Sequence, residues 1–188
     1  MKKLKTSPLI AAIALLSLCQ CHSGDNAKQD SEIEASDIVT PSRSESALPS
    51  SWIATIGESK SLHFMLLDPF SDTDSAENLL GCGEVIYRSV VTDSVLKATL
   101  DSTFIAPDSF KHDDMVKEST FLPDITFSYI NETDTAYILY SVYCDICRFY
   151  KDGEYFDLNA ETVRRPIITS SHLIAPKDKY LRNLKRQL

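Results

Sequence analysis

The chain has 188 residues, 43% of them hydrophobic, with 19 basic and 27 acidic side chains and a net charge of −8. That length suits one folded domain with a real core. The acidity argues against a nucleic-acid partner, because phosphate backbones would repel such a chain. With only five glycines, a backbone cradle for phosphate is not expected either.

The N-terminus has three parts. Lys2, Lys3 and Lys5 form a positive segment with no acid, Leu9–Leu18 is the apolar stretch LIAAIALLSL, and Cys19 and Cys21 close it. Ten residues of helix span about 15 Å, half of a bilayer's hydrocarbon core, so this stretch is too short to stay as a transmembrane helix. A charged start, a short apolar run and then a polar segment is the pattern of a secretory signal. The ending LSLCQC resembles the lipobox of bacterial lipoproteins, in which a cysteine directly after the apolar run is diacylated and becomes the first mature residue. Leu16 stands three residues before Cys19, as that motif wants, while Leu18 is bulkier than its usual last residue. Cys21 is the alternative, with Gln20 in that place. The resemblance implies residues 1–18 as signal peptide, a lipid anchor at Cys19, and residence in a bacterial cell envelope. Two acyl chains give stable membrane attachment where one is marginal.

From His22 to Ser51 serines recur, acids are scattered at Asp25, Asp30, Glu32, Glu34 and Asp37, and few residues are strongly apolar. Such a stretch cannot bury enough surface to offset chain entropy, so residues 19–51 read as a lipid-anchor cysteine and disordered tether. A 30-residue chain of this kind reaches about 30 Å. The folded domain is then expected at 52–188.

Within the domain the pattern predicts an α+β fold, an antiparallel β-meander packed by a few short helices. Asp74 and Glu77 have capping-box spacing and Gly81 is a stop, which predicts a short helix over 74–80. Glu84–Val91 is β-branched and aromatic, hence a strand. Asp93–Phe104 fits either period and reads as a helix because Asp93 or Ser94 would cap it. Ile125–Ile130, a polar turn at Asn131–Asp134 and Thr135–Tyr143 read as paired strands. Asp152-Gly153 between alternating aromatics signals a further hairpin, Arg148–Tyr150 with Glu154–Phe156, because both turn positions need positive φ. Ile167 and Ile168 are taken as another strand. The tail from Pro176 reads as a helix with Tyr180, Leu181, Leu184 and Leu188 on one face. It is basic: Lys177–Leu188 holds five bases and one acid. It could dock on an acidic partner or, more simply, on the domain's own acidic surface. The net acidity of the rest argues against the domain lying flat on an anionic membrane.

Cys144-Asp145-Ile146-Cys147 is the most suggestive group for chemistry, as a disulfide or redox pair. In thioredoxin-like proteins such a pair opens a helix whose dipole lowers a thiol pKa. Here a hairpin follows within six residues and leaves no room for that helix. A structural disulfide in an oxidising compartment is the simpler reading, and Cys82 could pair with either Cys144 or Cys147. Zinc on Cys82, Cys144, Cys147 and a histidine has no supporting spacing. Asp68, Asp72, Asp74 and Glu77 miss the calcium-loop pattern, since Ala76 and Glu77 fall where an acid and a glycine belong. His112-Asp113-Asp114 reads as a solvated loop, and Asn131-Glu132-Thr133 as a turn. No Gly-x-Ser-x-Gly or phosphate-loop motif occurs. A row of tyrosines on the meander (Tyr137, Tyr143, Tyr150, Tyr155, beside Phe149) could contact a glycan or protein, or be covered.

The sequence therefore points to a lipid-anchored envelope protein whose domain is a non-catalytic binding or structural module. No catalytic residue, metal or cofactor is assigned. The membrane, through the anchor, and an envelope protein or glycan are the expected partners. The competing reading is a thiol-dependent redox protein using Cys144 and Cys147.

Overall fold

The computed structural model describes residues 46–71, 78–110 and 119–188. The signal, Cys19, Cys21, most of the tether, Asp72–Glu77 and His112–Asp114 lie outside them. Six antiparallel strands form one sheet in the order β2-β1-β3-β4-β5-β6. They are β1 (Ser61–Asp68), β2 (Glu84–Val90), β3 (Ile125–Ile130), β4 (Thr135–Ser141), β5 (Ile146–Lys151) and β6 (Glu154–Asn159). Four helices, α1 (Ser50–Gly57), α2 (Ser94–Ile105), α3 (Arg164–Ile174) and α4 (Lys179–Arg186), complete a small α+β domain.

All four helices share one core with one face of the sheet. Alternation sends Leu62, Phe64 and Leu66 of β1, Ile125, Phe127 and Tyr129 of β3, and Ala136, Ile138 and Tyr140 of β4 into it. The helices answer with Trp52 and Ile56, Leu100 and Phe104, Ile167 and Ile168, and Leu181 and Leu184. Each such Leu, Ile or Phe side chain, fully buried, contributes about 1.5–3 kcal/mol. Aromatic rings join the layers: Phe104 lies 5.3 Å from Phe127, and Trp52 meets Phe149 edge-on at 5.5 Å.

The expected meander over β3, β4, β5 and β6 is present, with Asp152 at φ 52° and Gly153 at φ 86° in its last turn. Helix α2 forms with Asp93 as N-cap, accepting from Val95 and Leu96 N–H. Four elements differ from the sequence reading. Ile167 and Ile168 lie in a helix, not a strand. Both are fully buried, and neighbours on a strand would point to opposite faces. Pro166 is tolerated because it falls in the first turn of α3. Strand β4 stops at Ser141, since the chain turns there. Asn78–Leu80, the described end of the expected 74–80 helix, is a bridge and turn: Asn78 pairs with Glu84, and Leu80 and Gly81 have positive φ. The last helix starts at Lys179, with Asp178 rather than Pro176 at its boundary, because the Asp178 carboxylate accepts from Leu181 N–H.

The folded chain also begins ahead of Trp52. Leu48 is buried in the core and Pro49 is the N-cap of α1.

Candidate functional site

The CxxC segment is a turn between strands. Asp145 N–H donates to Ser141 O at 3.0 Å, closing 141–145, and Asp145 takes the left-handed φ of 55°. A short-side-chain residue tolerates that conformation better than most. The Asp145 carboxylate then accepts from the Tyr140 hydroxyl at 2.7 Å and the Arg164 guanidinium at 2.5 Å. Arg164 also donates to Val142 O, and Ala160 N–H donates to Asp145 O at 2.7 Å. Asp145 thus ties the β4–β5 turn to α3. Burial, with Asp145 beside it, pushes the Tyr140 pKa far up, keeping it a donor. Next to this knot, Asp124 accepts from Val142 N–H at 2.9 Å and is hydrogen-bonded to Tyr180 of α4.

Cys144, Cys147 and Cys82 are all unbonded thiols in this structure. Cys147 points into the core opposite Tyr140, fully buried. Burial first, then the charges of Asp145 and Asp157 and the neighbouring Cys144, drive its pKa well above the usual thiol value. A nucleophilic thiol needs the reverse environment. Cys82, half-buried, is also pushed up by burial, against the pull of Arg148. Among the described residues no three His, Cys, Asp or Glu side chains converge on a metal-sized site. Asp68 has a local task, accepting from Phe70 N–H at 3.0 Å.

The tyrosines do not form one platform. Tyr137 and Tyr150 pack on each other at 6.3 Å on the sheet face away from the helices, whereas Phe149 is buried on the helical face. Tyr143 sits exposed in the 141–145 turn. Tyr155 is one half of a clamp: Arg148 lies 4.2 Å from both the Phe121 and Tyr155 rings and forks onto Asp157 through two 2.8 Å hydrogen bonds. The Asp157 hydrogen bonds raise the Arg148 pKa against the cost of burial. This guanidinium has its partners and offers none to a ligand.

The open site lies at the other edge of the sheet. A groove of about 560 Å³ runs between the end of β2, α2 and α3. Val90, Val95 and Leu173 stand on its rim at 50%, 74% and 58% exposure. Leu96 and Ile174 line it, with the hydroxyls of Thr99 and Thr169 as polar groups. Beside it, β2 is an edge strand. Val91 N–H donates to Leu62 O at 2.8 Å, so with the observed register Tyr87, Ser89 and Val91 bond to β1. Arg88 and Val90 alternate with them and turn their own N–H and C=O outward. The start of β2 is covered, since Asn78 bridges Glu84 and a bulge lies opposite Leu66 and Leu67. The open stretch is thus the part beside the groove.

The sequence does not reveal this groove, because the β-branched pair Ile167 and Ile168 in one wall, α3, reads as a strand. The signal that remained was Val95, an apolar residue in the first turn of α2 away from the buried Leu100–Phe104 side. The chain matches no known family model, no curated protein and no solved structure. Among the described residues no helix is long and apolar enough to cross a membrane.

Proposed function

We propose that this is an exported bacterial envelope protein, lipid-anchored through Cys19 or Cys21, whose domain is a non-catalytic module that binds an extended segment of a partner protein. The carrying observation is the open edge of β2 beside an apolar groove. A partner strand that pairs with the outward amides of Arg88 and Val90 would place alternate side chains over Leu96, Ile174 and Leu173. Main-chain pairing supplies affinity in such binding and the flanking pocket supplies specificity. A glycan finds less support, because Tyr137 and Tyr150 pack on each other and Tyr155 on Arg148.

Selection from a displayed library of random peptides tests the module. Apolar, β-prone peptides should be enriched, and their binding should fall at least about tenfold in Val95→Glu and Leu173→Glu without loss of folding. Peptides that bind both variants unchanged would move the site elsewhere. Lipid labelling of the wild type, Cys19→Ala and Cys21→Ala tests the anchor independently, and no incorporation in any of the three would end that part of the proposal.

The competing thiol-redox reading is opposed by the burial and raised pKa of Cys147. Its test is a thiol count with and without reductant, together with Cys147→Ser. A reversible change in the count under mild oxidant, and a lost redox phenotype in the variant, would restore it.

A further inference from the structure

The C-terminal helix is joined to the domain by apolar contacts and the Tyr180–Asp124 hydrogen bond. Its bases form no ion pair among the described residues, Arg182 donating to Lys177 O at 3.2 Å. Leu181 and Leu184 are buried in the shared core. Lys177, Lys179, Arg182, Lys185 and Arg186 are all exposed. The ion pairs formed among the described residues involve Lys60, Lys97, Arg148, Lys151 and Arg164, and none of these five. The neighbouring acids are already engaged: Asp178 caps the helix and Asp124 holds Tyr180 and Val142 N–H. Among the described residues, this helix therefore makes no ion pair with the domain's own acidic surface.

At 100° per residue, Lys179, Arg182 and Arg186 fall on one stripe opposite Leu181 and Leu184. The stripe is about 10 Å long. Lys185 flanks it, while Tyr180 and Leu188 fall on the side of Leu181 and Leu184, and Tyr180 is hydrogen-bonded to Asp124 of the domain. Residues 22–176 carry 11 bases and 26 acids, whereas 177–188 carry five bases and one acid, so this helix is a concentrated positive face on an acidic domain.

We infer that the outer face of α4 docks electrostatically on an anionic lipid headgroup surface. Charge complementarity carries the choice of occupant. A run of bases suits headgroup phosphates, which accept cations without demanding a shaped partner. An interfacial helix ordinarily inserts its apolar face. Here that face is committed to the core, so only the polar face meets the membrane and the contact is reversible by salt. The acids elsewhere on the domain do not cancel it, because at about 0.15 M salt charges beyond about 8 Å are largely screened. This goes beyond the groove reading and does not require the lipid anchor.

The test is co-sedimentation of the full chain, carrying Cys19→Ala and Cys21→Ala so that acylation plays no part. Vesicles of phosphatidylcholine alone are compared with vesicles containing about one-third phosphatidylglycerol. Each base near an anionic surface is worth about fivefold in binding. Lys179→Gln, Arg182→Gln and Arg186→Gln together should weaken binding to the anionic vesicles by at least about tenfold. The positive signal segment is common to both chains and cancels in that comparison. Asn183→Lys adds a base to the stripe without touching the core and should strengthen binding about fivefold, so the outcome does not hang on a loss. A melting curve confirms that each variant is folded. Equal binding of the wild type and the triple variant, or no response to Asn183→Lys, would overturn the inference. Salt-sensitive binding through this stripe to polyglutamate, with no preference for anionic vesicles, would overturn it in favour of an acidic protein.

Discussion

Asp145 connects three parts of the chain that are far apart in sequence: the Tyr140 hydroxyl, the Arg164 guanidinium and, through its backbone, Ala160. Asp145→Ala leaves Arg164 half-buried without its carboxylate and puts a side chain with no polar compensation at φ 55°. The expected cost is about 2–4 kcal/mol, read from urea unfolding. Asp124 behaves in the opposite sense. Burial outweighs its hydrogen bonds from Val142 and Tyr180, and its pKa lies above the 3.8 of the unfolded chain. The folded state thus holds that proton more tightly. Its contribution to stability is fully present below pH 3.8 and is lost as pH rises through the folded pKa. Asp124→Asn should be at least as stable as the wild type at pH 7, with the difference closing at acid pH in paired melts. A variant that is less stable at neutral pH and unaffected by acid would contradict this. The three described thiols should differ in kind. Brief alkylation of the native protein, mapped by mass spectrometry, should mark half-buried Cys82 well before buried Cys144 and Cys147. The CxxC spacing was visible in the sequence, whereas its burial was not, because that depends on Tyr140 and Leu158 lying opposite Cys147 in the sheet.

Elements whose signals are local were legible in advance. Asp93 as a cap, the Asp152-Gly153 turn and the alternation of Ile125–Ile130 each specify a conformation within a few residues, and α2, β5–β6 and β3 follow them. Elements that depend on distant packing were not. Strand β1 has no clean alternation because Met65 and Leu67 are buried on the face opposite Leu62, Phe64 and Leu66. Helix α1 starts among tether-like serines, and Trp52 and Ile56, one turn apart on one side, hold it to the core with Thr55 and Ile53 beside them. Helix α3 has β-branched neighbours that favour a strand, but they cover the sheet on a helical stripe with Ser171 and Ala175. The β1–β2 connection shows one further backbone requirement. A Cβ on Gly83, at φ 142°, would lie 2.6 Å from Asp68 O. Gly83→Ala therefore forces the connection away from β1 and should cost about 2–4 kcal/mol. Gly153→Ala meets nothing within 4 Å and pays only for its φ of 86°, about 1–2 kcal/mol. A reversed order of the two in thermal melts would mean that the Asp68 contact does not constrain the turn.

At the scale of the whole molecule, the helices cover one sheet face, and the two surfaces proposed to bind lie apart from that core. Strand β2 ends the sheet on one side, with the groove beside it, and α4 carries its bases outward from the core it helps to close. An open edge is a hazard as well as a site, since it can pair with any extended chain. Its bulge and the Asn78 bridge close part of it, and among the described residues no strand pairs with the outward side of Arg88 and Val90. This arrangement makes two adjacent prolines behave differently. Val90→Pro removes an N–H that points away from β1, so the ladder is kept and the cost should stay near 1 kcal/mol. Ser89→Pro removes an N–H that bonds to Phe64 of β1, and should cost about 3 kcal/mol or more. The two substitutions also separate stability from binding. Val90→Pro should abolish capture of the selected peptides while the domain melts almost as before. Binding that survives Val90→Pro would show that the groove takes side chains alone and that the open edge of β2 plays no part in recognition.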